Sequence, residues 1–199
     1  DNAFKEKFFH VPLTEQPEYN GTQLIHSKVI ASYLRQLLRN DLQYAPFRME
    51  GMEQDVREMM EIDTPQGKLA LQIGGTIDRL DSKGDTLRIV DYKTGGTPKT
   101  PENIEQLFTP ADNRPNYIFQ TFLYAAILCR KQSLKVAPSL LYIHRAASES
   151  YSPVIEMGAP RQPKVPVNNF AFFEDEFRER LHGLLQEIFS QEAVSYTHL

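Results

Sequence analysis

Cysteine is nearly absent from this sequence: Cys129 is the only one among 199 residues. A single cysteine excludes a disulfide within the chain, and it also excludes an all-cysteine zinc site or an iron–sulfur cluster held by this chain alone. Nothing in the cysteine usage indicates an oxidising compartment. Cys129 stands in an apolar stretch, where a small buried residue is the simplest interpretation.

Long apolar runs are also missing. No stretch reaches the roughly 18 apolar residues that a membrane-spanning helix needs. The first five residues, D-N-A-F-K, lack the basic segment and apolar run of a signal peptide. We therefore expect no membrane partner and a cytoplasmic location. The start without methionine fits a domain excised from a longer protein, and residues 193–199 continue no pattern and are a candidate non-native tail.

Positive charge is not in excess, because 26 acidic residues outnumber 22 basic ones and give a net charge of -4. Proteins that wrap nucleic acid are usually basic, so the charge argues against a self-sufficient, high-affinity nucleic-acid-binding module. It does not argue against an enzyme that acts on nucleic acid, because a carboxylate cluster and its metal ions work locally. A partner or a neighbouring domain would then supply the affinity.

The composition is that of an ordinary globular protein, with 41% hydrophobic and 24% charged residues. The length predicts one domain, 1–199, with its core at about 20–190. Apolar periodicity predicts a helix, three antiparallel strands, a helix, a strand and a last helix, at 22–39, 48–62, 68–80, 86–93, 117–129, 139–144 and 174–189. Turn residues at 64–67 and 81–85 separate the first three strands.

The remaining segments are predicted to be irregular: a leading segment at 1–19, a long loop at 95–115 and an exposed connection at 150–168. Gly74 and Gly75 inside the second strand predict a bulge or a close backbone approach. The fold class is therefore α/β, with a mixed β-sheet flanked by helices. The sheet consists of an antiparallel meander plus a strand after a crossover helix.

The chemistry centres on the ends of the second and third strands. Residues two apart in a strand share a face, so Asp91 and Lys93 lie on the face of Leu87 and Ile89, which should face the core. Strand pairing then brings Asp78 close to Asp91. Two neighbouring carboxylates repel each other unless a cation lies between them, and magnesium prefers such oxygen ligands.

Lys93 has two interpretations. Beside a bound metal ion, its ammonium group can hold a phosphate group or assist an attacking water whose pKa the metal lowers. Alternatively, Asp91 and Lys93 form a surface salt bridge at a strand end, since the Asp-x-Lys spacing alone is common. The flanking sequence decides between these interpretations.

Three motifs flank these residues: G-T-I-D-R-L-D at 75–81, I-V-D-Y-K-T-G at 89–95 and Q-T-F-L-Y at 120–124. In order and spacing they resemble the RecB/AddB-type branch of the PD-(D/E)XK nuclease superfamily, which shows G-x-x-D-R-x-D, D-Y-K-T-G and Q-x-x-x-Y. The resemblance covers about 20–190, and its specific part is 74–124. It implies a restriction-endonuclease-like core.

The resemblance implies roles for five residues. Asp78 and Asp91 would be catalytic, metal-binding carboxylates, and the backbone carbonyl of Tyr92 would be a further ligand. Lys93 would be the catalytic lysine. Gln120 and Tyr124 share a helix face and would support the active site and the DNA strand. The alternative for this last pair is plain core packing with a buried amide.

Three further residues carry weaker implications. His26, in G-T-Q-L-I-H, resembles an early metal-binding histidine of that branch, although a lone helical histidine is more often structural. Glu53 is a rival acidic ligand on the strand before the hairpin. Arg79 would pair with a carboxylate or contact phosphate, and its alternative is a plain surface charge. Two loop cations, Lys99 and Arg114, could meet the DNA backbone, and their alternative is solvated loop charges.

The function that the resemblance implies is a metal-dependent DNA nuclease, with exonuclease action in recombination and repair. Mg²⁺ would be the cofactor, and Mn²⁺ could substitute. Relatives are often the tail of a larger helicase–nuclease protein, so a helicase subunit or domain is an expected partner besides DNA. The cysteine cluster that holds an iron–sulfur group in many relatives is missing. The alternatives are a catalytically idle DNA-binding or scaffold domain of a helicase–nuclease complex and another metal enzyme such as a phosphatase.

Overall fold

The computed structural model describes residues 2–148 and 150–190, so the candidate non-native tail at 193–199 lies outside the described residues. The helices are α1 (Asn2–Phe4), followed by a π-helical turn at Lys5–Phe9, α2 (Gly21–Tyr44), α3 (Asn116–Cys129) and α4 (Glu174–Ile188). The strands are β1 (Arg48–Thr64), β2 (Gly67–Lys83), β3 (Thr86–Lys93), β4 (Lys135–Tyr142), β5 (Glu156–Met157) and β6 (Val165–Pro166). Short 3₁₀ helices occupy Glu105–Leu107, Ile143–Arg145 and Phe170–Phe172.

The central sheet has the strand order β1-β2-β3-β4. The first three strands pair in antiparallel fashion, whereas β4 lies parallel to β3 after the crossover through α3. The predicted α/β class and the mixed sheet are therefore confirmed. The short strands β5 and β6 form a separate antiparallel pair.

A glycine pair allows the long β1–β2 hairpin to pack closely. Gly74 has a φ of 140°, and a Cβ at this position would collide with the backbone carbonyl of Val56 on β1. Only glycine adopts this conformation without strain. The predicted close approach of the backbone is confirmed at this position.

The two faces of the sheet carry different helices. On one face, Leu87 and Ile89 are buried as predicted and share a cluster with Phe122 of α3 and Phe177 of α4. On the other face, Val90 belongs to a smaller cluster against which residues of α2 pack. The alternation of side chains along β3 thus separates a large core from a small one.

Helix α2 begins with a capping box, because the side chain of Asn20 accepts from the backbone N–H of Gln23 and the Gln23 side chain accepts from Asn20. The helix continues to Tyr44, past the predicted end at residue 39. Few of its apolar residues contact the sheet, and the exposed ones are Leu24, Ile25, Val29, Ile30, Leu34, Leu38 and Leu42.

The predicted bounds of two further segments were wrong. The turn predicted at 81–85 is confined to Gly84 and Asp85, and Asp81 is fully buried in β2. Asp81 remains in the strand because Arg79 and Arg88 lie 2.9 Å and 2.8 Å from its carboxylate. The strand predicted at 139–144 begins earlier and ends earlier, because β4 is specified by its pairing with the whole of β3.

Two segments predicted as irregular contain buried residues. Ile104 and Leu107 of the 95–115 loop are 1% and 0% exposed. The 150–168 connection carries β5 and β6, and its residues Ile155, Met157 and Val167 are buried, so the prediction that it is exposed was wrong. Isolated apolar residues among prolines have no period, so only packing reveals their burial. Within the described ranges, no helix is long and apolar enough to cross a membrane.

Candidate active site

The site forms where β2 and β3 stop pairing. Their ladder runs from Lys83 opposite Thr86 to Arg79 opposite Val90. At the next position a side chain replaces the backbone partner, since Oδ2 of Asp78 accepts a hydrogen bond from the backbone N–H of Tyr92 at 2.8 Å. This bond fixes the Asp78 carboxylate beside the end of β3.

Asp91 and Lys93 follow on β3 and form a close ion pair. Lys93 Nζ lies 2.5 Å from Asp91 Oδ2, and the two side chains are only 15% and 6% exposed. The pair is therefore largely buried and is not the surface salt bridge of the alternative interpretation. Within residues 2–148 and 150–190, Asp91 Oδ2 has no hydrogen-bond donor in suitable geometry, so the lysine charge is its main compensation.

Burial is the largest influence on the electrostatics of Asp91. Burial raises the pKa of Asp91 above its ordinary value, the ion pair with Lys93 lowers it, and the negative charge of Asp78 raises it again. The net direction is upward. A desolvated carboxylate beside a second one is under-compensated by a single ammonium group, and a bound divalent cation would relieve both the desolvation and the repulsion.

The donor set fits a hard divalent cation in part. Asp78 and Asp91 supply carboxylate oxygens, one of which has no hydrogen-bond donor, and Mg²⁺ is commonly held by one or two carboxylates plus water. A fuller protein cage is not formed: no group of three or more His, Cys, Asp or Glu side chains in the described part of the chain could hold a metal ion. A cation here would therefore rely on the two aspartates and non-side-chain oxygens.

An aromatic ring completes the surroundings of Lys93. Its Nζ lies 4.2 Å from the ring centroid of Tyr117, in the first turn of α3. The register of the parallel pair places Tyr142 of β4 opposite Lys93. The lysine thus has a carboxylate and the face of an aromatic ring as neighbours, and both stabilise its positive charge.

A comparison with protein-family models decides the family. The model of the PD-(D/E)XK nuclease superfamily matches residues 1–198. The chain belongs to the PD-(D/E)XK nuclease superfamily. The mixed sheet and the acidic cluster at its strand ends agree with this assignment. No curated protein matches the sequence.

Membership makes this chain a nuclease by family, a hydrolase of phosphodiester bonds. Members of the PD-(D/E)XK superfamily generally use divalent metal ions, which agrees with the carboxylate pair. The remaining candidate residues can now be placed around the two aspartates.

Gln120 and Tyr124 of this nuclease form one unit in α3. Gln120 Nε2 donates to Tyr124 Oη at 2.9 Å, and Tyr124 is 3% exposed. A Cβ on residue 75 would lie 2.7 Å from Tyr124 Oη, so Gly75 of β2 leaves room for the tyrosine. The pair therefore packs α3 on the strand that carries Asp78, and its predicted support of the DNA strand stays a prediction.

Arg79 lies on the opposite side of the sheet. It is 3% exposed, and its Nη1 donates to both carboxylate oxygens of Asp41 at 2.9 Å and to Tyr92 Oη at 3.1 Å. The alternative of a plain surface charge was wrong, because the arginine pairs with carboxylates. The motif arginine of this nuclease attaches α2 to the sheet behind the ligand candidate Tyr92.

The structure does not gather the other candidates into the site. His26 is exposed on α2, and no metal-binding group within the described ranges includes it. Glu53 is exposed on β1 with a φ of 48°, an uncommon conformation for a side-chain-bearing residue. Lys99 Nζ donates to the backbone carbonyls of Asn113 and Arg114 at 2.6 Å and 3.2 Å, so it ties the long loop together.

Sequence reasoning missed Tyr117, although a signal was available. Tyr117 stands three residues before Gln120, so it shares a face of α3 with the Gln-x-x-x-Tyr motif. It is 46% exposed, although it lies in an apolar helix beside a buried ion pair.

Cys129, which was expected to be buried, is half-buried, and burial raises the pKa of its thiol to about 11.

Proposed function

We propose that this chain is a magnesium-dependent deoxyribonuclease of the RecB/AddB type, which acts as an exonuclease in DNA recombination and repair. The observation that supports it best is the Asp91 carboxylate, buried and held chiefly by the Lys93 ammonium group, beside Asp78. A desolvated acid and a lysine buried together at the end of one strand are costly for stability alone. Their retention in one place favours a catalytic role.

The residues would share the work as follows. Asp78 and Asp91 would hold the magnesium ion, with the Tyr92 carbonyl as a further ligand. The bound ion would supply Lewis acidity and lower the pKa of a bound water, and Mn²⁺ could replace it. Because the Asp78 carboxylate is already fixed by the Tyr92 N–H, little reorganisation of this ligand is needed.

Lys93 would act on the phosphate. When a divalent cation compensates Asp91, the ammonium group no longer has to do so and can meet a non-bridging phosphate oxygen. In this position it stabilises the negative charge that builds on phosphorus during attack by water. The nearby ring of Tyr117 keeps the ammonium group close to the site without neutralising its charge.

The three sequence motifs support the RecB/AddB branch and a DNA substrate. The net charge of -4 supports a division of labour, in which a helicase subunit or domain binds most of the DNA and this chain cleaves it. An idle scaffold domain would retain such a partner but would not need the intact Asp78, Asp91 and Lys93 set.

The test is degradation of end-labelled linear DNA and closed circular DNA in magnesium, manganese or EDTA. We expect metal-dependent cleavage by the native chain and a loss of about 100-fold or more for Lys93→Ala. Lys68→Ala is the matched control, because Lys68 is exposed in the β1–β2 hairpin and its surface ion pair with Glu61 contributes little. Cleavage of linear DNA alone identifies an exonuclease.

Four outcomes would contradict the proposal. Equal cleavage by the native chain and Lys93→Ala would remove the lysine from the mechanism. Cleavage that persists in EDTA would remove the metal. Absence of cleavage by a folded native chain that binds DNA would favour the idle scaffold domain, and faster hydrolysis of small phosphate esters than of oligonucleotides would favour a phosphatase.

A further inference from the structure

An exposed tyrosine stands beside the catalytic lysine candidate with part of its surface unused. Tyr117 is 46% exposed, although Lys93 Nζ lies 4.2 Å from its ring centroid. Its position in the first turn of α3 leaves it at the edge of the core rather than inside it. An aromatic surface of this size, next to a phosphate-binding group, is available to a further ligand.

Tyr117 also lines a cavity of about 330 Å³. The cavity lies between the turn after β3 and the segment that leads into α3. We name it the Tyr117 cavity, and its lining includes Gly96, Thr97, Lys99, Asp112, Arg114, Tyr117 and Tyr142. Gly96 has a φ of 78°, and a Cβ there would lie 3.7 Å from the Tyr117 ring, so the turn runs close along the tyrosine.

The charges of the Tyr117 cavity favour an anion with an aromatic part. Arg114 Nε donates to the neutral amide oxygen of Asn116 at 2.7 Å, so this partner leaves the arginine charge uncompensated. Lys99 is held in the wall by two backbone carbonyls, which are also neutral partners. The lining contains one carboxylate, Asp112, and two cations, Lys99 and Arg114. The balance of the lining is therefore positive.

A nucleotide has the chemistry that such a cavity recognises. Its base can stack on an exposed tyrosine ring, and its phosphate can bind a guanidinium group. Ligand pockets commonly have volumes of about 300 Å³ or more, so the Tyr117 cavity has room for one nucleotide but not for a base pair with its neighbours. Stacking tolerates every base, because each base has an aromatic face.

On the basis of the proposed function, we propose that the Tyr117 cavity is a subsite for one unpaired nucleotide next to the scissile phosphate. The base stacks on the exposed part of Tyr117, and Arg114 contacts the flanking phosphate. The subsite makes the substrate strand single-stranded at the point of cleavage. It also gives the nuclease a base-dependent contact without sequence preference.

A purely structural role of Tyr117 predicts something different. If the ring served only to hold Lys93 by a cation–π contact, its loss would alter cleavage but not the dependence of DNA binding on the presence of bases. The subsite predicts that Tyr117 matters only when the strand carries bases. The two roles are therefore separated by comparing a normal strand with an abasic one.

The experiment measures binding by fluorescence anisotropy in EDTA at low salt, with labelled oligodeoxythymidine and an abasic oligomer of equal length. For Tyr117→Leu we expect about fivefold or greater loss of affinity for oligodeoxythymidine and no change for the abasic oligomer. Tyr117→Phe should bind like the native chain. The matched control is Phe172→Leu, because Phe172 is an aromatic residue that is 85% exposed and does not line the cavity.

Arg114→Gln tests the phosphate contact separately. It should weaken binding of both oligomers by the same factor and reduce the dependence of log affinity on log salt by about one. Equal affinity of the native chain for the two oligomers would overturn the subsite, and so would an equal loss on both in Tyr117→Leu or an absence of binding. If Tyr117→Leu melts far below the native chain, the native comparison of the two oligomers decides alone.

The subsite and the nuclease can fail independently. Metal-dependent cleavage of linear DNA by the native chain, together with unchanged binding by Tyr117→Leu, would leave the nuclease standing and overturn the subsite. Base-dependent binding that is lost in Tyr117→Leu, without cleavage by the native chain, would establish the subsite and overturn the nuclease. Both readouts use the same chain.

Discussion

A single carboxylate, Asp91, carries a charge whose burial is costly. Its side chain is 6% exposed, its Oδ2 has no hydrogen-bond donor in suitable geometry within the described part of the chain, and Asp78 repels it. The Lys93 ammonium group compensates only part of this cost. Residues with such unfavourable electrostatics are often found at functional sites. Substituting them often raises stability and lowers activity.

Asp91→Asn should therefore raise the melting temperature of the metal-free protein and abolish cleavage. The substitution removes the buried charge and the repulsion with Asp78, while it takes away a metal-binding oxygen. We expect magnesium to raise the melting temperature of the native chain but not of the variant, and cleavage to fall by about 100-fold or more. Thermal denaturation with and without magnesium checks this, and a less stable metal-free variant would contradict it.

The effect of Asp91→Asn on stability should depend on pH. The pKa of Asp91 is raised in the folded state, so the neutral carboxyl stabilises the fold below its ordinary pKa of 3.8, and this contribution is lost as the pH rises through the folded value. Metal-free Asp91→Asn should therefore exceed the native chain in stability at neutral pH. The difference should shrink as the pH falls through the folded pKa and disappear below about 3.8, as measured by urea denaturation across pH. A difference that grows on acidification would contradict it.

At the scale of elements, buried charges join helix α2 to the sheet beside a small apolar cluster. Arg79 of β2 forms an ion pair with Asp41 of α2 at 2.9 Å. Asp81 forms ion pairs with both Arg79 and Arg88. Burial lowers the pKa of Arg79, but the hydrogen bonds to Asp41 and Tyr92 outweigh it and leave the arginine firmly charged. The exposed apolar residues of α2 take no part in this attachment.

Arg79→Ala should lower the free energy of unfolding by about 3 kcal/mol, because it removes the buried partner of Asp41 and leaves Asp81 with Arg88 alone. Urea denaturation measures the change. Arg48→Ala is the matched control, since its ion pair with Glu50 spans 3.5 Å and its side chain is 81% exposed. It should change stability by less than about 1 kcal/mol. Equal effects of the two substitutions would show that the buried network contributes nothing special.

The contact between β2 and α3 depends on the missing side chain of Gly75. A Cβ there would lie 2.7 Å from Tyr124 Oη, and the tyrosine cannot move away because it is buried and bonded to Gln120. Gly75→Ala should destabilise the fold by about 1–3 kcal/mol and lower cleavage, since the strand carries Asp78. The double variant Gly75→Ala with Tyr124→Phe should recover part of this loss, because the colliding oxygen is gone.

Gly183→Ala is the control for this prediction. Gly183 lies inside α4, where a Cβ would meet nothing within 4 Å. Alanine is favoured over glycine in a helix by about 1 kcal/mol, so this substitution should stabilise the protein. Chemical denaturation of the three variants, with cleavage assays in parallel, measures these effects. Failure of Tyr124→Phe to relieve Gly75→Ala would show that the tyrosine hydroxyl is not the obstacle.

At the scale of the whole molecule, a cluster of phenylalanines connects the irregular segments and both core helices. Phe177 of α4 is fully buried, and its ring lies within 6.1 Å of four others: Phe108, Phe119, Phe122 and Phe170. Residues from the 95–115 loop, α3, a 3₁₀ helix and α4 thus meet at one point. Arg178 adds a buried ion pair from α4 to Glu58 of β1 at 2.6 Å.

Phe177→Ala should cost about 3–5 kcal/mol, because it leaves a cavity where several elements meet. This is a large share of the roughly 5–15 kcal/mol that stabilises a typical domain. Far-UV and near-UV circular dichroism should show a lower urea midpoint for the whole protein, with both signals changing together. Phe172→Ala, at an 85% exposed ring, should stay within about 0.5 kcal/mol. If Phe177→Ala changed only the near-UV signal and left the urea midpoint unaltered, the connecting role of Phe177 would be contradicted.

Local patterns determined much of this molecule from its sequence. The alternation of Leu87 and Ile89 predicted the buried face of β3, and the order of elements predicted the mixed sheet, because strands and helices have distinct periods. The sequence spacing also predicted that Asp91 and Lys93 share a face with the core and that Asp78 approaches them across the hairpin. These inferences need only the geometry of one strand and one turn.

The tertiary structure alone decided the remaining features. The burial of Asp81 and Arg79 depends on partners from other strands and from α2, so their charges could not reveal it. The ring of Tyr117 reaches Lys93 only because the crossover brings α3 back over the sheet. His26 is exposed on α2 and belongs to no metal-binding group within the described residues. The reason is related, because the sequence motif of a ligand does not determine how the helix that carries it packs. Contacts between distant segments are set by how elements pack, and no local period encodes that packing.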